Sequence, residues 1–349
     1  MTVPAGRNPF LFVVGCPRSG TTLLQRMLDA HPQLAVANDT HFIPRALEAV
    51  LPRSSEDETA SSNASVLPEL VSWVRGYYRS ARLGLDDESF QQAAVDAHSY
   101  REFVSLLYGQ FARKHGKELG GEKTPDYVRH LPLLHRLFPW ARSVHLIRDG
   151  RDVALSIVEW ACRDGRQKGP AKLALWREEP VATSALWWEW QVRSGRRSRS
   201  VLPPGTYLEV RYETLVADPE ATLRSVVNFL GLPFSGRMLS FNDGKVRHEE
   251  GLSAKKAWLP PTPGLRDWRT QMKPKDVELF EALAGDLLSE LDYPRSSERS
   301  SSRTREVAER YRRWWEENVK SPNGSLPRAP TPGPAFPLGS RRRRWPDDL

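Results

Sequence analysis

The sequence predicts an α/β fold: three layers, α/β/α, around a central parallel sheet, in a single domain followed by a disordered basic C-terminal tail. Two observations carry this. Phe10 to Gly15 (FLFVVG) is a short apolar run ending in glycine, followed by a loop and then a helical pattern. Val144 to Ile147 (VHLI) and Tyr207 to Val210 (YLEV) are further strand-like runs, each with a helical stretch after it.

Taken in order, Thr21 to Ala30 places Leu23, Leu24, Met27 and Leu28 on one helical face, and Pro32 stops that helix. Residues 53–66 are polar and serine-rich, which reads as a surface loop or insertion, and helical stretches fill roughly 67–117. Arg151 to Cys162 continues the second strand unit as a helix. Asp218 caps another helix, with Pro219 at its first position and Gly231 just past its end. From about Pro274 to Leu291, Val277, Phe280, Leu283, Leu287 and Leu291 form one stripe.

Past Pro294 the composition changes. Ser296 to Ser302 reads as a linker, and 303–319 as a helix with Val307, Tyr311, Trp314 and Trp315 on one side. From Ser321 onward proline, glycine and serine leave no packed core. The expected organisation is one folded body over 8–294, a linker and amphipathic helix over 295–320, and a disordered Pro/Arg-rich tail over 321–349. No internal repeat is visible.

Composition narrows the class. With 349 residues, 39% hydrophobic and 27% charged, the chain has the make-up of a soluble protein. No apolar run reaches the ~18–20 residues of a membrane span. Residues 1–9 lack a charged-then-apolar signal layout, so a cytoplasmic location is expected. Two cysteines, Cys16 and Cys162, supply neither a disulfide framework nor a cysteine-rich metal site. The net charge of +8 is concentrated late, in Arg303, Arg305, Arg310, Arg312, Arg313 and the run Arg341 to Arg344. No nucleic-acid module accompanies it, so it reads as a solvated tail and no nucleic-acid partner is expected.

Two motifs carry chemistry. Gly15 and Gly20 enclose four residues, and Thr21 and Thr22 then open a helix. This is a P-loop-type frame, in which successive backbone N–H groups wrap an anion at a helix N-terminus. Nucleotide triphosphatases place lysine right after the second glycine; here Thr21 stands there and the cation is Arg18, inside the loop. The second motif follows VHLI as Arg148-Asp149-Gly150-Arg151-Asp152, with Ser156 two helical turns on. An arginine at the carboxyl end of a parallel strand, with a hydroxyl converging on it, suits a phosphate monoester. Taken separately, a glycine-rich turn with an exposed arginine and an RDGRD turn making surface ion pairs are the plainer readings. Their co-occurrence favours a nucleotide site.

PRSGTT (Pro17 to Thr22) together with RDGRDVALS (Arg148 to Ser156) resembles the sulfotransferase family that uses 3′-phosphoadenosine 5′-phosphosulfate (PAPS). The resemblance covers about residues 9–294. It implies that Arg18 meets the bridging oxygen of the leaving nucleotide while Pro17, Ser19, Gly20, Thr21 and Thr22 cradle the 5′-phosphosulfate. It implies Arg148 and Ser156 for the 3′-phosphate. RYETL (Arg211 to Leu215) is similar to the family's segment near the adenine, which makes Tyr212 a candidate contact. The stretch from Leu265 looks like the family's closing segment; Trp268 is present, the usual R-K-G is not, and no ligand is assigned there. Because a sulfuryl group carries less charge than a phosphoryl group, a loop cation can serve without a metal, and none is expected.

PRSGTTLLQRMLDAHP followed by ANDTHFIPR looks like the tyrosylprotein branch, where a glutamate stands as general base in the place of Asp39. GEKTPDY (Gly121 to Tyr127) is similar to glycan sulfotransferases, with Lys123 near the transferring group. Bacterial members acting on small metabolites share both features, so the acceptor stays open among an alcohol, a phenol, a sugar hydroxyl and a peptide tyrosine. Asp39 leads as base and His41 is second; an Asx turn or helix cap is the alternative for Asp39, and a structural hydrogen bond for His41. Lys123 is alternatively a surface charge. Arg45 either holds an acidic acceptor or is an exposed helix charge. Trp187, Trp188 and Trp190 read as core, with one of them a candidate for the acceptor cleft. Cys16 lies in the loop with nothing nearby to make a thiolate.

Two other functions compete. A P-loop kinase or ATPase requires lysine after Gly20 and an aspartate ending a strand; the chain has Thr21 and Arg148. A nucleic-acid or scaffold protein rests on the basic tail alone.

Overall fold

The computed structural model describes residues 7–51, 67–161, 167–242, 264, 266–296 and 300–319. Its five strands form one wholly parallel sheet in the order β2-β3-β1-β4-β5. They are β1 (Leu11–Val14), β2 (Leu34–Asn38), β3 (Leu119–Lys123), β4 (Arg142–Ile147) and β5 (Tyr207–Arg211). The N-terminal half carries helices α1 (Thr21–Asp29), α2 (Phe42–Val50), α3 (Leu67–Gly76), α4 (Asp87–Asp96), α5 (Tyr100–Lys114) and α6 (Leu131–Leu137). Helices α7 (Gly150–Ala161), α8 (Leu175–Glu178), α9 (Pro180–Ser198), α10 (Tyr212–Ala217) and α11 (Pro219–Leu230) follow. Last come α12 (Trp268–Gln271), α13 (Pro274–Glu290) and α14 (Ser302–Asn318).

Why β1 and most of β2 are apolar at successive positions is visible in their side-chain alternation. Leu11 and Val13 of β1 and Leu34 and Val36 of β2 pack with α1 and α11. Phe12, Val14, Ala35 and Ala37 point to the other face, among residues of α2, α3, α5 and α6. A sheet covered on both faces needs apolar residues at every position, not at alternate ones. A third cluster joins Ile147, at the end of β4, to α7, α9, α13 and α14.

β1, β4 and β5 are the runs expected from sequence; β2 and β3 are additional. β3 reads LGGEK, which lacks an apolar run, and its glycines serve close approach. A Cβ on Gly120 would lie 2.4 Å from the Tyr108 carbonyl oxygen, so only glycine lets α5 pack this near. Glu122 and Lys123 on the same strand are both buried, and both serve the site described below.

α11 starts as its sequence predicts: the Asp218 carboxylate accepts from the Ala221 N–H at 3.0 Å, Pro219 follows, and Gly231 ends the helix at φ 70°. Trp187 and Trp188 are buried and Trp190 packs partly buried on the same cluster. α14 makes this possible by closing the far side of α9: Tyr311 and Trp315 are buried, and Trp315 meets Trp190 edge-on at 6.0 Å. Among the described residues no helix is long and apolar enough to cross a membrane. The serine-rich stretch 53–66, Cys162 and the tail 321–349 lie outside the described residues.

Candidate active site

Strand order sets the site. β1 is central, with β3 and β2 on one side and β4 and β5 on the other. Connections leaving the carboxyl edge part at that point and open a crevice, the usual ligand position in parallel α/β sheets. Register aligns Val13 with Lys123 and Val14 with His145, so the loops after β1, β3 and β4 emerge side by side.

The loop after β1 is held in shape by its glycines. Gly20 has φ 93°, and a Cβ there would lie 2.4 Å from the Tyr212 ring. A Cβ on Gly15 would meet the Leu146 carbonyl at the same distance. Arg18 itself takes a left-handed conformation, φ 78°, and the Ser19 N–H donates to the Cys16 carbonyl at 3.1 Å. Thr21 opens α1 and is buried, while Pro17 and Thr22 are partly exposed. Burial, reinforced by Asp126, pushes the Cys16 thiol up, so it plays no thiolate role.

The two motifs meet. Arg18 Nε donates to Ser156 Oγ at 3.1 Å, and the Arg18 guanidinium lies 5.6 Å from the Trp160 ring. Arg148, also buried, stacks over Tyr212 at 4.3 Å and pairs with Asp152 at 3.4 Å. Arg18, Ser156, Arg148 and Tyr212 therefore belong to one half of the crevice, on the β1–β4–β5 side. Two donors there have no hydrogen-bond partner among the described residues, the buried Ser19 Oγ and Arg148 Nε. Leaving a buried donor unsatisfied costs about 1–3 kcal/mol, which an anion accepting from it would recover. A phosphate-bearing ligand fits this donor set: two guanidinium groups, two hydroxyls and the loop N–H groups.

Residues to which the sequence assigned no part on the phosphate side hold this half in place. Trp188 Nε1 donates to the Arg148 carbonyl at 3.1 Å. Arg151 is fully buried, bonded through Nη2 to Asp149 at 2.7 Å and through Nη1 to Glu281 of α13 at 2.6 Å. The Trp268 indole N–H reaches Asp149 at 3.1 Å and its backbone N–H reaches Asp152 at 2.9 Å. Surface pairing within RDGRD is thus ruled out for Arg151; it ties the phosphate-side loop to the C-terminal helices. The buried Trp268 was the only sign of this in the sequence.

On the other side of β1, Asp39, His41 and Lys123 converge. Lys123 Nζ lies 3.1 Å from Asp39 Oδ2, His41 Nε2 lies 3.9 Å from Oδ1, and Arg82 approaches Oδ2 at 3.8 Å. Lys123 is 1% exposed, so it is an interior partner, not a surface charge. Asp39 does not cap α2: the position before that helix is His41, with no side-chain cap. Burial works against ionisation of Asp39, but Lys123, His41 and Arg82 outweigh it and hold its carboxyl below the ordinary value. Burial lowers His41 to about 4, against a smaller opposing pull from Asp126. Both are unprotonated at neutral pH and able to accept a proton. Arg45 is exposed one helical turn past His41 and acts on it electrostatically. Arg82, which also donates to the Asp39 carbonyl at 3.0 Å, was not anticipated; no local pattern ties it to residues 43 positions away.

Against known proteins, the model of the sulfotransferase family matches residues 9–236. Protein-tyrosine sulfotransferase 1 of Danio rerio is 26% identical over 281 residues, covering 79% of this chain and 66% of that protein. Nodulation protein NoeE of Sinorhizobium fredii is 27% identical over 341 residues, 87% of this chain and 73% of that protein. The first three curated relatives are spanned over 66%, 69% and 54% of their lengths. The sulfotransferase domain from the curacin biosynthetic pathway superposes with a TM-score of 0.55 at 22% identity, covering 84% of this chain and 100% of that one. At that identity the likeness concerns the fold.

Proposed function

The chain belongs to the sulfotransferase family, and from that premise we propose that it transfers a sulfuryl group from PAPS to the hydroxyl of an acceptor. One observation carries the reading. The sheet order sets Arg18, Ser156, Arg148 and Tyr212 on the side of β1, β4 and β5, and Asp39, His41 and Lys123 on the side of β2 and β3, an arrangement that supports a phosphate-binding half facing an acid–base half. Such a division suits a reaction between an anionic nucleotide donor and a hydroxyl. A nucleotide kinase would need a lysine at Thr21 and a metal-binding carboxylate where β4 ends in Arg148.

In this reading Arg148 and Ser156 hold the 3′-phosphate and Ser19, Gly20, Thr21 and Thr22 hold the 5′ end, with Pro17 shaping the loop's entry. Tyr212 walls the nucleotide site beside them. The acceptor oxygen bonds to sulfur as the bond from sulfur to the bridging phosphate oxygen breaks. The hydroxyl proton passes to Asp39, with His41 the second candidate, and Arg18 stabilises the charge left on the phosphate oxygen. Lys123, 3.1 Å from Asp39, keeps that carboxylate ionised and oriented. The curated relatives include protein-tyrosine sulfotransferases, so phenols, including tyrosine in a peptide, head the acceptor classes, ahead of sugar and aliphatic hydroxyls.

The test is incubation of the purified chain with sulfur-35-labelled PAPS and phenolic, sugar, alcohol and tyrosine-peptide acceptors. Label should appear on at least one acceptor and disappear in Arg18→Ala. Absence of transfer to every class, with intact nucleotide binding, would count against the reading.

A further inference from the structure

We infer that Glu122 is the positioning residue of the acid–base half: its side chain, by accepting the Thr40 N–H, fixes Asp39 against Lys123. The inference rests on Asp39 acting at the acceptor side, and it deepens that reading.

The geometry starts from strain. Asp39 and His41 both lie in the left-handed region, at φ 55° and 60°, on either side of Thr40. Residues other than glycine enter this region uncommonly, Asp and His more readily than most, and two flanking a single residue call for surroundings that hold them there. Three bonds do so here. The Asp39 N–H donates to the Lys123 carbonyl at 2.7 Å, continuing the β2–β3 ladder past the end of β2. Arg82 donates to the Asp39 carbonyl at 3.0 Å. Between them the Thr40 N–H donates to Glu122 Oε1 at 2.9 Å. Without that last bond, the amide between the two strained residues would be buried and unpaired.

Glu122 is itself immobilised. It is fully buried on β3, where it accepts from Tyr108 O–H at 2.7 Å and from the Thr124 hydroxyl. Thr40 is fully buried too, and its Oγ1 lies 3.3 Å from the Tyr108 oxygen. Burial raises the Glu122 carboxyl while these hydrogen bonds oppose the rise. A buried carboxyl with all its contacts turned inward has no route to the acceptor proton. Its bond to the Thr40 N–H acts on Asp39 through the backbone, beside a charge repulsion between the two carboxyls, and its neighbour Lys123 on the same strand contacts the Asp39 carboxylate directly. Consecutive residues of one strand thus hold the base: Glu122 the amide that follows it, and Lys123 both its N–H and its carboxylate.

Two substitutions in the full chain separate reach from charge. Glu122→Gln keeps the side-chain length and a carbonyl oxygen for Thr40; Glu122→Asp keeps the charge and withdraws it by one methylene. With a sulfated acceptor in hand, Glu122→Asp should lower kcat about tenfold or more, as expected for a displaced catalytic group, with KM for PAPS unchanged. Glu122→Gln should recover most of that loss. The His41 imidazole, which faces Asp39, Asp126, Arg45 and Arg79, gives a readout free of catalysis. Followed by NMR, its titration should move down from about 4 in Glu122→Asp, because the Asp39 carboxylate that raises it is withdrawn, and stay in place in Glu122→Gln.

Loss of activity in Glu122→Gln equal to or greater than that in Glu122→Asp would make charge the operative property and overturn the inference. Unchanged kcat and His41 titration in both variants would overturn it as well. Hydrogen exchange in the parent chain is independent of either variant: the Thr40 amide should be the most protected between residues 39 and 42, and rapid exchange there contradicts the inference. A parent chain that sulfates nothing counts against the reading of Asp39 as base, while exchange and titration still decide the placement by Glu122.

Discussion

Arg18 Nε and Ser156 Oγ, 138 residues apart in sequence, are hydrogen-bonded at 3.1 Å. One belongs to the loop after β1 and the other to the helix after β4, strands that lie side by side in the sheet. In the proposed reaction the two residues grip opposite ends of the nucleotide, Arg18 at the sulfuryl-bearing phosphate and Ser156 at the 3′-phosphate. Their contact joins the two grips, and a nucleotide entering between them exchanges Arg18's bond to Ser156 for bonds to phosphate.

The acid–base half makes a prediction about pH. Asp39 is held below its ordinary value, so it remains ionised as pH falls through the neutral and mildly acidic range. The rate should therefore stay flat from neutral pH down past about 5, where ordinary carboxyls begin to protonate. Lys123→Met removes the largest influence holding the carboxyl down, so its titration rises toward the value that burial favours. The acidic limb of kcat should move to higher pH in that variant. Asp39→Asn should lower kcat by ~10²–10⁴, the usual contribution of a general base. A parent rate already falling with a midpoint near 6.5 would assign the base to an unperturbed imidazole elsewhere.

Stability should also depend on pH, through two histidines that catalysis does not use. His135 is buried and lowered by burial to about 4, with Nε2 2.9 Å from Ser143 Oγ. His145 is buried beneath α9, lowered by burial and by Arg196 to about 3, with Nδ1 2.6 Å from Tyr207 Oη. Both folded values lie below the unfolded value, so between them the unfolded chain binds more protons. Their contribution is complete above pH 6.5 and declines as pH falls toward 4. At pH 5 the loss should reach about 2 kcal/mol for each. Urea midpoints at pH 7 and 5 measure it, and His135→Gln should remove the His135 share while leaving that of His145 and the other lowered histidines. Equal midpoints in the parent would contradict the assignment.

The two motifs were legible because each is a short run in which backbone geometry and chemistry coincide. Gly15 and Gly20 are required by the turn, and Arg148 stands where a strand meets a loop. β1, β4 and β5 were legible as apolar runs, and α11 by its cap, proline and glycine. β3 was not, because its glycines answer to α5 packing and its charges to the site, and both erase the apolar signal. The cluster of Asp39, His41 and Lys123 was named residue by residue, but its contact came only with β2 and β3 paired in register. Arg82, Glu122 and Arg151 act across long sequence separations, the last two from buried positions, and no local pattern reports such contacts.

The central claim is that the β1–β4 half of the crevice binds a 3′-phosphorylated adenine nucleotide. Thermal unfolding with adenosine 3′,5′-bisphosphate, adenosine 5′-phosphate, or ATP plus Mg²⁺ tests it most directly. The bisphosphate at ~100 times its dissociation constant should add roughly 2.7 kcal/mol to stability. That gain should exceed the effect of the other two ligands and vanish in Arg148→Ala. Stabilisation by ATP and Mg²⁺ with no response to the 3′-phosphate, or a bisphosphate effect untouched by Arg148→Ala, would contradict the account.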